Sequence, residues 1–497
     1  MYQLILIAIL LTCIKTNAQL TPAEGAQLHY TLIAFTVPQK EITGDCRLEV
    51  ADGTYDNEKE FSSHIILSQE GSNNRILARV PSWGTNYTWR IVYKGGGDPQ
   101  IQYHHFRTLP LPYGDTDVIR LRVLQPAEKH KEAYVFLDCT GTLYDMAGMP
   151  VWFVPPQVFK SGVAGKMEDM KLSPAGTVTF LNDGVPYEVN YAGDVLWQAP
   201  EAELKRSYSG VLHHEFTRLR SGHYMALGTE CIWWPLPGGD MGAPPQNATD
   251  SGLRYQRMEF GTVNEYDTRG ALVWSWHSAA YFDTADLHRH TGADGRYNGD
   301  VHLNSFYLDE RTSELYLSFK NISRVLKVKY PDGKVLASYG AVYEGGKTNI
   351  ESEFYCYQHS CKTDGEGNLY LFNNNTCGTP ALPRLVIMRQ QGNGGRALKK
   401  IWEYECKAGN DRMAKKGRLQ FPRGGNMVVL PGGDVFGSLN QPYSEAFIIS
   451  RDMRKLWSAI PEKRSSADAD WKVMPLYRAA IIADHRDMER LIWGAIE

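Results

Sequence analysis

One hairpin signature recurs six times along the chain and limits what it can fold into: a turn containing Asp or Gly, an apolar residue and, in most copies, Trp. The copies are Asp145–Trp152, Tyr191–Trp197, Tyr266–Trp274, Tyr330–Leu336, Ile401–Trp402 and Arg451–Trp457. Their ends lie between 45 residues (152 to 197) and 77 residues (197 to 274) apart, a spacing expected of divergent propeller blades. Each copy follows a strand pair, for example Leu315–Phe319 with Arg324–Lys329 and Leu369–Asn373 with Arg384–Met388. Four-stranded sheets packed radially bury such a Trp between neighbours and leave no long edge exposed. Separate sandwiches have no need of one hairpin signature six times. The expectation is an all-β chain with a six-bladed β-propeller over residues 113–497. Its 46 Gly, 25 Pro and 28 Tyr suit many turns and aromatic-rich strands. Helical periodicity is confined to the short stretches Glu201–Tyr208 and Ser466–Lys472.

Residues 19–112 carry shorter alternating runs: Leu28–Phe35, Cys46–Val50, His64–Ser68, Ile76–Val80 and Asn86–Tyr93. They predict a small N-terminal β-sandwich of immunoglobulin or fibronectin III type, with Leu109–Asp115 as a stiff linker. Residues 1–18 read as a signal peptide. The apolar run Leu4–Cys13 precedes Thr16-Asn17-Ala18, a small-residue cleavage site before Gln19, although no Lys or Arg stands ahead of the run. Export to the periplasm or beyond follows. Beyond the leader no apolar run is long enough to span a membrane. Lys+Arg 53 against Asp+Glu 56 leaves no basic excess for binding nucleic acid. Of the 8 Cys, Cys13 falls in the leader, so an odd number remains and at least one thiol stays free or pairs between chains. Cys356, Cys361 and Cys377 are close enough to pair locally, and their connectivity stays open.

Three histidines stand just ahead of strands in the repeat: His214 in His213-His214-Glu215-Phe216, His302 in Asp300-Val301-His302-Leu303-Asn304, and His359 in Gln358-His359-Ser360. His214 and His359 lie nine residues before His223 and Asn368, each next to a turn Gly, which predicts equivalent positions facing a central channel. His302 and Asn304 share one face of an extended segment. No HExxH or close-spaced Cys/His pattern points to a metal, and the Cys356–His359–Cys361 grouping suits a structural role for the thiols. A neutral imidazole can itself accept an acyl, phosphoryl or sulfuryl group and pass it on. Lys320, on the strand after His302, can supply charge to the group in flight.

The run His213–Leu219 with Gly222, the segment His302–Ser305, Gln358-His359 before Gly367-Asn368-Leu369 and the Trp tags together resemble the bacterial arylsulfate sulfotransferase family, over roughly residues 115–497 and more weakly over the N-terminal domain. The resemblance implies a six-bladed propeller behind a β-sandwich, export to the periplasm and no cofactor. It also implies transfer of a sulfuryl group from a phenolic sulfate ester to another phenol, independent of the nucleotide sulfate donor, by a ping-pong route through a sulfohistidine. By the same resemblance His359 is the nucleophile, His214 and His302 support it, and Asn304 donates to sulfate. Lys320 stands where the family more often has Arg, a point charge in place of a planar fork. Ser438 and Asn440 occupy the region of the family's paired threonines without matching them. The family's local disulfide lies upstream of its nucleophile, whereas Cys356 and Cys361 straddle His359. The partners implied are a small phenolic sulfate donor and a phenol acceptor, with a homo-oligomer left open. Trp233, Trp234 and Tyr357 are candidates to stack on aryl rings. The alternatives are an exported, non-catalytic propeller binding an anionic or sulfated glycan, and a metal hydrolase or lyase using the three histidines. Asn86, Asn247, Asn321 and Asn374 each begin an N-glycosylation triplet.

Overall fold

The computed structural model describes residues 20–37, 45–72, 75–93, 102–113, 118–235, 255–283, 286, 299–340, 350–351, 354–377, 382–392, 395, 397–406, 423–440 and 443–495. The expected signal peptide, Asn247 and part of the 109–115 linker lie outside them. The chain divides into two units, one running to Pro110 and including the residues from Ile492 onward, the other Leu111–Leu491.

In the first unit, Ala26–Leu28, His104–Thr108, Asn86–Tyr93, Asp45–Asp52 and Ile65–Ser72 form one sheet in that order, and Leu32–Phe35 pairs with Ile76–Arg79 in a second. Phe35, Leu48, Val50, Ile76, Trp89 and Phe106 fill its core. Alternating side chains put every second residue of these strands inside.

The second unit is all-β and propeller-like. Among the described residues it holds six sheets of four or more strands. We label the edge strand nearest the functional cavity in each sheet: β1 (Met167–Leu172), β2 (His213–Arg218), β3 (Leu303–Asp309), β4 (His359–Thr363), β5 (Asn426–Val429) and β6 (Ala479–Ile482). Strand β6 comes last in the chain yet pairs antiparallel with Tyr134–Leu137, so the first sheet is built from both ends of the unit. The edge strands follow one another around a ring: β1 approaches β2, β2 approaches β3, β3 approaches β4 and β4 approaches β5. The Asn426 amide then joins β5 to β6 through Ala479 O at 2.7 Å, and β6 returns to β1.

The Trp tags explain how neighbouring sheets hold together. Trp152 donates its indole N–H to Tyr191 O at 2.8 Å, Trp274 to Pro331 O at 2.8 Å and Trp402 to Arg451 O at 3.0 Å. Trp457 donates to Met146 O at 2.9 Å, linking the last sheet to the first. Each bond runs from one tag to the turn of the next tag, worth about 1 kcal/mol apiece, and those of the buried Trp152 and Trp457 also satisfy a polar atom that burial would otherwise strand. The Tyr330–Leu336 copy has no Trp and makes no such bond. Trp197 instead stacks on Tyr224 and Phe216, with centroids 4.0 and 5.6 Å away.

Two helix expectations need correction. Glu201–Leu204 is helical, but Ser466–Lys472 is a run of bends and a turn, where Ser466, Asp468 and Asp470 favour turn backbone over helix. Among the described residues two helices were missed by sequence periodicity: Glu58–Ser63, capped by Asn57, and His485–Trp493, which buries Met488, Leu491 and Ile492 along one face. No helix among the described residues is long and apolar enough to cross a membrane.

Candidate functional site

A cavity of about 1130 Å³ opens in the second unit where β1 to β4 approach one another. His214, His302, His359 and Lys320 all line it. Its aromatic lining is Tyr113 and Tyr477 rather than Trp233, Trp234 or Tyr357. Trp234 is occupied packing on Phe260, with centroids 5.2 Å apart.

The edge strands present these side chains through bulges. The ladder slips between Glu168 and Lys171 in β1, His213 and Phe216 in β2, Leu303 and Ser305 in β3, and His359 and Lys362 in β4. A bulge twists the strand and turns side chains out of the pleat. Left-handed residues accompany the bulges: Asp169 (φ 56°), His214 (φ 63°), His302 (φ 57°) and Ser360 (φ 53°). Each costs about 1–2 kcal/mol for a residue other than Gly, so the surrounding bonds must hold it there. The β2 bulge carries two extra residues and the β4 bulge one. His359 pairs with Phe372, three residues beyond the start of its partner strand, and it is His213, paired with Leu227, that occupies the matching place. The equal nine-residue offsets of His214 and His359 therefore do not mean equal ladder positions. The two rings reach the same cavity by different local geometry.

His359 is buried and gripped at both nitrogens. Asn374 donates its Nδ2 to Gly424 O at 3.1 Å, which turns its Oδ1 toward His359 Nδ1 at 2.7 Å. That oxygen only accepts, so Nδ1 carries the proton and Nε2 keeps the lone pair. Gly424 N–H donates to Nε2 at 3.2 Å. Burial first, then the Arg478 charge, holds the imidazole well below the usual histidine range. His302 is held differently: its Nδ1 lies 2.6 Å from Asp300 Oδ2, and Asp300 Oδ1 accepts its backbone N–H. His302 and His214 meet edge-to-face, with centroids 5.2 Å apart. The Nδ1 atoms of His213 and His214 are 2.7 Å apart, so one donates and the other accepts. Burial pulls His214 well below its ordinary value and His213 down to about 4, with neighbouring imidazoles adding to both.

Residues 137–392, just over half of the 497-residue chain, match the family Arylsulfotransferase (ASST). The chain belongs to the arylsulfotransferase family. Membership supports aryl sulfotransfer as its general activity and small phenolic molecules as its substrates. No curated protein matches the chain. Solved structures similar to it include a protein of unknown function from Bacteroides caccae, at 9% identity and a TM-score of 0.39 over 71% of this chain and 98% of that one. A protein from Lactobacillus plantarum (10%, TM-score 0.32, 73% and 99%) and apo AztD from Citrobacter koseri (6%, TM-score 0.30, 89% and 98%) are also similar. Likenesses this distant carry nothing about chemistry.

In this arylsulfotransferase the cavity has an anion-attracting corner. Lys320 and Arg423 both line it, and among the described residues neither makes an ion pair. Burial depresses the Lys320 ammonium, and Arg423 adds to that effect while Asp300 opposes it. Two neighbouring cations outweigh the single charge of Asp300 beside them and favour a bound anion. Asn440 also lines the cavity, whereas Ser438 is buried with its hydroxyl donated to Asn426 Oδ1.

Asn304 stands apart from the other expected site residues. It is fully buried, it does not line the cavity, and its amide nitrogen is committed to Gln358 O at 2.8 Å. It braces the residue before His359 rather than facing a ligand. Several residues that matter at the site had escaped sequence reasoning. Asp300 was visible as the carboxylate two residues before His302. Arg423-Gly424-Gly425 was visible as a glycine pair after a cation; a Cβ on Gly424 (φ 63°) would sit 2.6 Å from Tyr477 O. Asn374 was masked by its glycosylation triplet, yet it is fully buried and no acceptor for a glycan. Cys356 bonds to Cys377, and Cys361 is a buried free thiol pushed well up by burial, so no thiolate stands beside His359. Among the described residues no cluster suited to a metal occurs.

Proposed function

We propose that the chain moves a sulfuryl group from a phenolic sulfate ester to a second phenol by a ping-pong route through a sulfated His359, without a nucleotide donor. The observation that carries this is the grip on His359: Asn374 fixes the proton on Nδ1, so a neutral Nε2 lone pair stands in the cavity that holds Lys320 and Arg423. The two cations bind the sulfate oxygens. Nε2 attacks sulfur, the N–S bond forms and the S–O(aryl) bond breaks, leaving its electron pair on the aryl oxygen. His302, whose imidazolium Asp300 stabilises, gives that oxygen its proton. As the Nε2 lone pair becomes a bond, Gly424 N–H is released to donate to a sulfuryl oxygen. In the second half His302 takes the acceptor's proton, the phenolate oxygen attacks sulfur, and the N–S bond breaks to restore the imidazole. His214, held neutral beside His302, orients that ring.

The closed ring of edge strands and the chain of Trp bonds support six propeller blades over residues 113–497, and the two N-terminal sheets support a sandwich over 19–112. A disulfide supports export to an oxidising compartment, in keeping with a signal peptide at 1–18. The test is intact mass after rapid quenching with an aryl sulfate. One sulfuryl group gained by the wild type and absent in His359→Asn is expected; a wild type with no adduct and no phenol released sinks the proposal.

A further inference from the structure

Arg478 precedes the closing strand β6 and lies against the underside of the histidines. Its side chain is 5% exposed and does not line the cavity. Its Nη1 donates to His214 O at 2.9 Å, and its Nη2 donates to Asn304 O at 2.8 Å. The first bond holds the left-handed residue of β2 by its own carbonyl. The second holds the bulge of β3, two residues beyond His302. From there the Asn304 amide reaches Gln358 O, and Gln358 is itself fixed by Nε2 bonds to Ser318 Oγ, Phe319 O and Arg324 O at 3.1–3.2 Å. One guanidinium is thus connected, in one or two hydrogen bonds, to the backbone beside all three histidines, which come from three different sheets.

Its own position is determined just as strongly. Nη1 also meets Glu215 Oε2 at 2.6 Å and Asp169 Oδ1 at 3.1 Å, and the Arg478 backbone N–H donates to Asp138 Oδ2 at 2.8 Å. Lys171 shares the two carboxylates, 3.0 Å from Glu215. Two cations and two carboxylates balance in a buried site, with Lys362 and Tyr477 as further titratable neighbours. An arrangement in which Nη1 meets two carboxylates and one carbonyl while Nη2 reaches a second carbonyl suits Arg and not Lys, because only the planar fork presents donors in both directions.

We propose, resting on the sulfohistidine route above, that Arg478 is the positioning residue of the catalytic histidines: its fork sets the backbone of the bulges that aim His214, His302 and His359. Its fixed charge, beside the same rings, also opposes their protonation. The groups facing His359 are Arg478, His302 and Lys320, with Asn374 on Nδ1; those facing His214 are His213, His302, Arg478 and His359. Carboxylates face the same cluster, Asp169 and Glu215 on Arg478, Asp300 on His302, and Asp138 and Glu168 in the cavity lining, and the Arg478 charge acts against their pull. Removing the Arg478 charge also leaves Asp169 and Glu215 with less compensation, which works in the same direction.

The experiment compares full-length wild type, Arg478→Lys, Arg478→Met and Asn304→Ser, each checked for folding by circular dichroism. The readouts are the rate of adduct formation from an aryl sulfate across pH, and the histidine ring ¹⁵N shifts of the resting protein. Arg478→Lys keeps the charge and loses the fork: the rate is expected to fall at least about tenfold, with the acid limb unmoved. Arg478→Met is expected to move the acid limb up by about one pH unit or more, with the ring shifts following. Asn304→Ser is expected to slow adduct formation without moving the limb. Wild-type rates in both Arg478→Lys and Asn304→Ser overturn the positioning role, and this decides the matter even where Arg478→Met fails to fold. An unmoved limb and unmoved ring shifts in a folded Arg478→Met overturn the role of its charge. Where the wild type forms no adduct, the sulfohistidine route fails. The ring shifts alone then decide for Arg478: altered shifts in its variants sustain the role, and unaltered shifts end it.

Discussion

His302 and His359 line one cavity and differ chiefly in what holds Nδ1. Asp300 offers a carboxylate to the first at 2.6 Å; Asn374 offers a carboxamide to the second at 2.7 Å. Both partners accept the same N–H and fix the same tautomer. The carboxylate also carries a negative charge, which suits the acid role proposed for His302. The carboxamide does not, and with Arg478 and burial acting against protonation His359 stays a neutral base with a directed lone pair. The proposed route uses this difference, a single partner atom and depth in the protein, to separate two rings of the same residue type into a proton carrier and a nucleophile.

The separation can be broken in stages. His359→Asn removes the nucleophile and is expected to cut aryl sulfate turnover by at least about 10⁴-fold, measured by phenol release; retention of more than a hundredth of the activity would place the covalent step elsewhere. Asp300→Asn makes the partner of His302 resemble that of His359. Turnover of donors with weakly acidic phenols should fall about 100-fold, and that of nitrophenyl sulfates far less, because a good leaving group needs no proton. Equal losses across a leaving-group series would remove His302 from the acid role. Asn374→Asp is the converse change. A charge beside Nδ1 raises the His359 pKa, so kcat/KM should fall about tenfold at pH 7 and more below it, the acid limb moving up by about one to three units. A profile identical to wild type contradicts the assigned tautomer.

The smallest effect is on stability. His213, His214 and His359 sit below their unfolded value of 6.5 in the native protein, His213 at about 4. The unfolded chain therefore takes up protons first as pH falls. The folded state has its full stability above pH 6.5 and loses it progressively between 6.5 and 4. Tm should be lower at pH 5 than at pH 7, and His213→Asn should narrow the gap; an unchanged gap would mean that His213 is not held neutral.

What was legible in the sequence follows from range. The Trp tags were readable because a turn residue, an apolar residue and an indole act within a few positions, and the strands Pro150–Phe153, Val195–Gln198 and Lys455–Lys463 carry them. His302 with Asp300 was equally local. The reach of His214 and His359 into one cavity was read from equal spacing, but unequal bulges mean the spacing was not its cause. Asn304 was assigned to sulfate by family resemblance, and its shared face with His302 was read from an extended segment; the β3 bulge at that residue breaks the alternation. Asn374, Gly424 and Arg478 act across 15 to 264 residues of sequence, and no periodicity encodes such contacts.

The pairing of Ala479–Ile482 with Tyr134–Leu137 has a consequence for biosynthesis. A chain still leaving the ribosome possesses His359, Lys320 and Arg423 well before it possesses Arg478 and the strand that completes the circle. Closure of the ring of edge strands therefore waits for residues 479–482, and a chain cut short before Arg478 carries all three histidines without the guanidinium bonded to His214 O and Asn304 O.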